Sequence, residues 1–266
     1  MAMICVDAGT TVIKAVGYGD DGTEVVVARR STTVSHPCPA WAEQDMDSVW
    51  AAVGACVREV LQQLPPASIE FLALTAQGDG VWLVDEDGSP TGPAILWNDG
   101  RAADIVDDWT NDGRIDRAFA INGNLTSSGL PNAILAWLKR HDPERLARSR
   151  TSLTCGGWVF ACLTGETIAD RSDASAPFMD LRTQEYSAEL LGLYDLDWAE
   201  PLLPDIRPDD RRVAPSAGPL RPRPGSPRAH RSSCRPTTSP RRRSAPARST
   251  SARRAASWAP RSAPRS

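Results

Sequence analysis

The chain has 266 residues, 24 % of them charged, and a formal net charge of −3, yet the charge is divided unevenly. The last acidic residue is Asp210; residues 213–266 carry 13 arginines and no Asp or Glu, which leaves −16 on residues 1–212. The six cysteines contain no C-x-x-C pair and the three histidines lie far apart, so neither a zinc site nor a disulfide framework is suggested, and a reduced, cytoplasmic setting is expected. No basic leader precedes a long apolar core, and no apolar run approaches the roughly 20 residues of a membrane helix, so no membrane partner is expected.

In chain order, Met3 to Val6 is a short apolar run that ends in Asp7, followed by Ala8-Gly9-Thr10-Thr11 and a second apolar run from Val12. The pattern reads as strand, turn, strand. Two readings of the turn stand side by side. It is either an ordinary hairpin, or a place where glycine lets main-chain N–H groups approach a phosphate while Thr10 and Thr11 add hydroxyls and Asp7 orients a metal-bound water.

Val12 to Tyr18 and Glu24 to Ala28 flank Asp20-Asp21-Gly22, a hairpin signal, so the first three strands are expected to be antiparallel. Val49, Trp50, Val53, Val57, Val60, Leu61 and Leu64 then recur at helical spacing, with Asp45 or Asp47 as N-cap and Pro65-Pro66 as the stop. Ile69 to Thr75 and Val81 to Val84 are expected strands, and Ala94 to Trp97 is a further short apolar segment. Asn98-Asp99-Gly100-Arg101 opens a helical stretch through Ile105 and Trp109. Pro131 starts another helix that ends in Lys139 and Arg140, and further helix is expected over about 143–148 and 157–163, closed by Gly165. Beyond Leu220 the chain contains no Leu, Ile, Val, Met or Phe, so residues 213–266 are expected to be a disordered Arg/Pro/Ser/Ala tail.

Gln77-Gly78-Asp79-Gly80 lies between two expected strands, and Pro93 to Arg101 follows shortly after. With Asp7 to Thr11, Trp41 to Asp45, Trp137 to Arg145, Leu163 to Glu166 and Asp170 to Ser175, these pieces in this order resemble the FGGY carbohydrate kinases, which include xylulokinase, glycerol kinase and erythritol kinase. The resemblance covers residues 1–212 and implies an α/β, ribonuclease H-like (actin-like ATPase) domain: a mixed sheet with flanking helices. It further implies an ATP-dependent polyol or ketose kinase using ATP and Mg²⁺, with Asp7, Gly9, Thr10 and Thr11 toward the nucleotide, Asp7 toward the metal, and Gln77, Asp79, Trp97, Asp99 and Arg101 toward the sugar. Asp79 stands where xylulokinases carry His and Gly78 where they carry Met, so this stretch is more similar to the erythritol kinases.

Each of these residues also has a plainer reading. Asp79 can be a turn acid, Trp97 a core residue, Asp99 a helix N-cap, Arg101 a surface cation and Asp173 a local turn cap, while the other tryptophans are expected to be packing residues.

The family also implies a second, ATP-binding domain and a catalytic aspartate in an Asp-x-x-x-x-Ala-Leu-Gly-Ala-Gly stretch, neither visible in this chain. Thr237-Thr238-Ser239 read one base earlier allows Tyr-Asp-Val, and Pro240 to Ala247 continue in that frame with codons compatible with Ala-Ala-Thr-Ala-Leu-Gly-Ala-Gly. The codon test thus admits a frameshift between about Val213 and Arg235. Three functions remain open: an impaired sugar kinase, a non-catalytic sugar-binding fragment, and, through the basic tail, a nucleic-acid binder. A homodimer is admissible.

Overall fold

The computed structural model describes residues 2–64 and 68–207, which fall within one compact unit. The expectations for the Arg/Pro/Ser/Ala tail, its frameshift and its nucleic-acid binding lie outside the described residues, as does the Pro65-Pro66 stop.

The first three strands form the expected antiparallel meander: β1 (Ala2–Ala8), β2 (Val12–Tyr18) and β3 (Glu24–Ser31). At the β2–β3 turn the Asp21 carboxylate accepts from Thr23 N at 3.0 Å and from its hydroxyl at 2.7 Å, an Asx turn that fixes the reversal. The short strand β4 (Glu43–Gln44) leads into α1 (Met46–Leu61). Asp45 rather than Asp47 caps this helix, its carboxylate accepting from Ser48 N at 2.7 Å. Val49, Trp50, Val53, Cys56, Val57 and Val60 form one buried stripe packed on the meander. Full burial of each such aliphatic side chain stabilises by about 1.5–3 kcal/mol, which is what ties helix to sheet.

Strand β5 (Ile69–Ala76) returns beside β1 and runs parallel to it, giving a mixed sheet of order β3-β2-β1-β5. The parallel pairing brings the carboxyl ends of β1 and β5 to the same sheet edge, with Asp7 opposite Thr75 and Ala8 opposite Ala76. The turn after β1 and the turn after β5 therefore leave the sheet side by side.

The remaining segments divide between two apolar clusters: Trp82, Val84, Leu153 and Trp158 pack with the sheet and α1, whereas Leu83, Ile95, Trp109, Ile134 and Leu135 belong to a second one. Strand β6 (Trp82–Val84) does not join the main sheet. It pairs antiparallel with β8 (Thr151–Leu153), and β7 (Ala94–Ile95) pairs with β4. Between them lie α2 (Ala103–Asn111), α3 (Arg114–Asn122), α4 (Pro131–His141) and α5 (Pro143–Arg148). Pro131 occupies the first turn of α4 and Lys139, Arg140 and His141 its last, as helix polarity favours. Helix α6 (Cys155–Thr164) is capped by Thr154 and closed by Gly165, and its Trp158 stacks on Trp82 with centroids 5.8 Å apart. The described chain ends with β9 (Ile168–Ala169), α7 (Arg171–Ser175), α8 (Ala188–Leu193) and β10 (Asp205–Ile206), which runs parallel to β9.

Among the described residues Cys5, Cys56, Cys155 and Cys162 are free thiols. Among the described residues no helix is long and apolar enough to cross a membrane.

Candidate functional site

The two adjacent turns enclose a cleft of about 360 Å³ lined by Asp7, Gly9, Thr10, Ala76, Gln77, Gly78, Asp79 and Trp97. That volume suits a small ligand rather than a drug-sized one. A larger depression of about 450 Å³ lies over Arg114, Arg117, Glu189 and Asp195. It takes in none of the residues singled out from the sequence.

Four side chains around the cleft form a single hydrogen-bonded chain. The Trp97 indole Nε1–H donates to Thr10 Oγ1 at 3.1 Å, and the Thr10 hydroxyl donates to Gln77 Oε1 at 2.8 Å. Gln77 Nε2 donates to Gln44 Oε1 at 2.7 Å, and Gln44 Nε2 donates to the Thr10 carbonyl at 2.8 Å. The indole can only donate and the carbonyl can only accept, so both amides are oriented without ambiguity. Gln44 is 1 % exposed and acts from below the cleft. Sequence reasoning missed it: a polar residue in a two-residue strand carries no periodic signal.

Trp97 is half exposed, so the core reading fails. Its N–H is taken up by Thr10, which leaves the ring face as a flat apolar wall. The main chain fixes its place: a Cβ on Gly129 would lie 1.7 Å from the Trp97 carbonyl oxygen, so the two segments can meet only with glycine there. Asp79 sits at φ 52°, a left-handed conformation that a short acid tolerates better than most residues. Its carboxylate accepts no hydrogen bond from any described residue, and burial pushes its carboxyl above the usual range. An unpaired, partly desolvated acid beside a flat ring is a strained arrangement of the kind found at binding sites.

Asp173 adjoins this group. It does not cap a turn: Asp170 caps α7, and Asp173 accepts from Thr154 Oγ1 at 2.7 Å. Burial raises its carboxyl, with the neighbouring acids Asp170 and Asp79 adding to the rise. Beneath the cleft, burial pushes the Cys155 thiol up to about 12, so it stays protonated and donates weakly to the Ala8 carbonyl.

Two expected sugar contacts are not brought to the cleft. Asp99 is 1 % exposed; its carboxylate accepts from Ala42 N at 2.6 Å and from the Arg101 guanidinium at 2.8 and 2.9 Å. Arg101 also donates to Glu43 at 2.7 Å and lies over the Trp41 and Trp137 rings, 4.0 and 5.1 Å from their centroids. Arg101 is therefore a buried ion-pair residue and not a surface cation, and Ala102 rather than Asp99 precedes α2. Neighbouring residues of a strand face opposite ways. Accordingly Glu43 anchors the Arg101 cluster while Gln44 orients Gln77. Thr11 is exposed and does not line the cleft; its carbonyl accepts from Thr32 N.

The turn itself fits a metal-bound phosphate. A Cβ on Gly9 would lie 2.8 Å from the Val12 carbonyl, so the turn is as tight as glycine allows, and the Asp7 carboxylate at its edge is exposed and unpaired among the described residues. Mg²⁺ commonly takes one or two carboxylates and completes its shell with water and phosphate oxygens. Among the described residues no group of three or more His, Cys, Asp or Glu could hold a metal alone, so Asp7 would share the ion with a ligand.

Residues 2–216 match the FGGY family of carbohydrate kinases, N-terminal domain. A probable L-xylulose kinase of Haemophilus influenzae is 30 % identical over 204 residues, covering 76 % of this chain and 42 % of its own length. An erythritol kinase of Brucella abortus is 33 % identical over 208 residues, covering 77 % and 40 %. The crystal structure of a xylulose kinase from Rhodospirillum rubrum superposes with a TM-score of 0.72 at 29 % identity, covering 78 % of this chain and 43 % of that one. The chain thus spans about two fifths of the length of these relatives. Over the part it spans, the ordered motifs, the mixed sheet and the family match coincide, and the chain belongs to the FGGY family of carbohydrate kinases.

Proposed function

We propose that this chain carries the sugar-binding part of an ATP-dependent carbohydrate kinase site, for a small polyol or ketose, and works in a cytoplasmic setting. The observation that carries the reading is the meeting of the Asp7–Thr10 turn with Gln77, Asp79 and the Trp97 ring in one small cleft. A polyol has a hydroxyl-bearing edge and a C–H face; Asp79 and Gln77 pair with the first and Trp97 packs against the second. On the other side, Asp7 orients a magnesium ion, and the Gly9–Thr11 turn offers main-chain N–H groups to phosphate oxygens. Bound Mg-ATP would supply the transferable phosphoryl group. The contribution of this chain is then positional: it holds the accepting hydroxyl near that group and excludes water from one side. We assign no described residue as the general base.

The relatives named for xylulose and for erythritol support both acceptor classes equally. The test is a titration of the 266-residue chain with erythritol, glycerol, xylulose and ribulose, following the indole N–H resonance of Trp97, alongside an ATP-coupled turnover assay. The expected result is saturable perturbation of that resonance by at least one of the four, with no turnover above the enzyme-free control. No perturbation by any of them refutes sugar binding, and turnover refutes the assignment of a positional role alone.

A further inference from the structure

Successive residues of a strand point to opposite faces of the sheet. On one face of the main sheet Ile4, Val6 and Ala8 of β1 share a single apolar cluster with the buried residues of α1 and α6. Ile13 and Ala15 of β2, Val26 and Ala28 of β3, and Leu72 and Leu74 of β5 point the same way and join that cluster. The alternate residues make the opposite face, and the register sets them in three cross-strand rows. One row is Phe71, Met3 and Tyr18, with Val25 at the irregularity beside Tyr18; the middle row is Ala73, Cys5, Val16 and Val27; and the row at the cleft end is Thr75, Asp7, Lys14 and Arg29. Two rows are therefore apolar and the third carries the charge. None of the apolar side chains in these rows belongs to an apolar cluster among the described residues, and Phe71 and Val25 are 48 and 50 % exposed.

We propose that this sheet face is the contact surface of a reversible homodimer, in which two copies of the chain pack face to face about a two-fold axis running along the strands between β1 and β2. The inference does not depend on the sugar-kinase reading. With the sheet order β3-β2-β1-β5, that axis lays β2 of each copy over β1 of the other, and β3 over β5. Val16 then faces Cys5, Tyr18 faces Met3 and Val25 faces Phe71, while Lys14 of each copy meets Asp7 of the other. The face is thus complementary to itself, as a two-fold contact requires. An in-plane axis across the strands would instead press the charged row onto Phe71 and Tyr18 and strand desolvated charges there. Residues 213–266 have no chemistry for covering this face. They contain no Leu, Ile, Val, Met or Phe beyond Leu220, and their 13 arginines repel Lys14 and Arg29. Four strands about 4.8 Å apart, each about 24 Å long, present roughly 450 Å² per copy. A pair buries about 900 Å², less than a standard stable interface, so the association is weak, with a Kd on the order of 10 μM.

Sedimentation equilibrium of the 266-residue chain, from about 1 to about 300 μM and without metal or nucleotide, is the test. A monomer–dimer equilibrium is expected. Phe71→Lys sets a cation in the apolar row at a position already half exposed, so it is expected to leave the melting temperature of the dilute monomer unchanged and to raise the dimer Kd at least about tenfold. Leu125→Lys, at a residue 72 % exposed and outside this sheet, is the control and is expected to dimerise as the parent does. Charge reversal tests the axis. Lys14→Asp sets acid over acid and is expected to raise the Kd at least about tenfold, and adding Asp7→Lys to it is expected to bring the Kd back to within about threefold of the parent. A chain that stays monomeric throughout, one that forms larger species without a dimer, or a Phe71→Lys variant that dimerises as the parent does each overturns the proposal. So does a Leu125→Lys variant that dissociates, or a reversed pair that fails to recover.

Discussion

Gly129→Ala gives the sharpest test of how the Trp97 wall is held. The added Cβ would lie 1.7 Å from the Trp97 carbonyl oxygen, 2.3 Å from its carbon and 3.0 Å from its Cα. All three atoms are main chain, so no rotamer change relieves the clash. Restoring even a 3.0 Å contact to the oxygen requires a relative shift of at least 1.3 Å, the difference between 3.0 and 1.7 Å. The same segment is tied through the Gly80 N–H to the Gly129 carbonyl at 3.1 Å, so the shift also strains the turn that carries Asp79. Overpacking that only backbone movement can absorb belongs at the upper end of the usual range, about 3 kcal/mol. For a domain of this size that corresponds to a fall in melting temperature of roughly 6–12 °C. Thermal unfolding followed by circular dichroism measures it, and the Trp97 indole resonance reports whether the hydrogen bond to Thr10 survives. Gly78→Ala is the control: nothing lies within 4 Å of its Cβ, and its stability is expected to stay within about 0.5 kcal/mol of the parent. A Gly129→Ala protein that melts within about 2 °C of the parent, with its indole resonance unmoved, refutes this account of the wall.

Two further outcomes are expected. Arg101→Ala strands the buried Glu43 and Asp99 carboxylates without their cation, and should cost about 3–5 kcal/mol, read as a lower urea midpoint; full stability with lost sugar binding would instead return Arg101 to the cleft. Asp173→Asn removes an acid whose ionised form is disfavoured first by burial and then by its acidic neighbours, while keeping an oxygen to accept from Thr154. A carboxyl raised in the folded state weakens folding once ionised, so the parent's penalty is absent below the unfolded value and complete above the folded one. The variant should therefore melt higher than the parent at pH 7, and that advantage should shrink as the pH falls toward 4; an advantage that grows on acidification contradicts the assignment.

The local grammar of the sequence predicted much of this fold. The Val-rich runs around Asp20-Asp21-Gly22 became the meander, the stripe from Val49 to Val60 became α1, and Pro131 opened α4. What was not legible depended on partners distant in the chain. Thr151–Leu153 is three residues long and is a strand only because β6, some 70 residues earlier, pairs with it. Arg101 reads as a surface cation until Glu43, Trp41 and Trp137 are placed around it, and Asp99 reads as a cap until Ala42 N is brought to its carboxylate. The family resemblance located the cleft through Asp7, Gln77, Asp79 and Trp97, but it could not show that Gln44 decides which way the Gln77 amide points. Side-chain polarity is a property of the closed loop, and no single segment of the sequence contains that loop.

Thr10 belongs to both halves of the site. Its main chain lies in the turn after β1, while its hydroxyl accepts a hydrogen bond from the indole and donates one to Gln77, and its carbonyl accepts from Gln44 and from the Thr32 hydroxyl, the latter at 2.6 Å. A turn anchored at this many points cannot tilt alone. Any load placed on it is shared at once with the ring and the amide across the cleft, much as a keystone passes thrust to both sides of an arch. Two ligands that bear on opposite faces of Thr10 would therefore feel one another without touching, and whatever free energy one gains from a stiffened Thr10 the other must gain in equal measure.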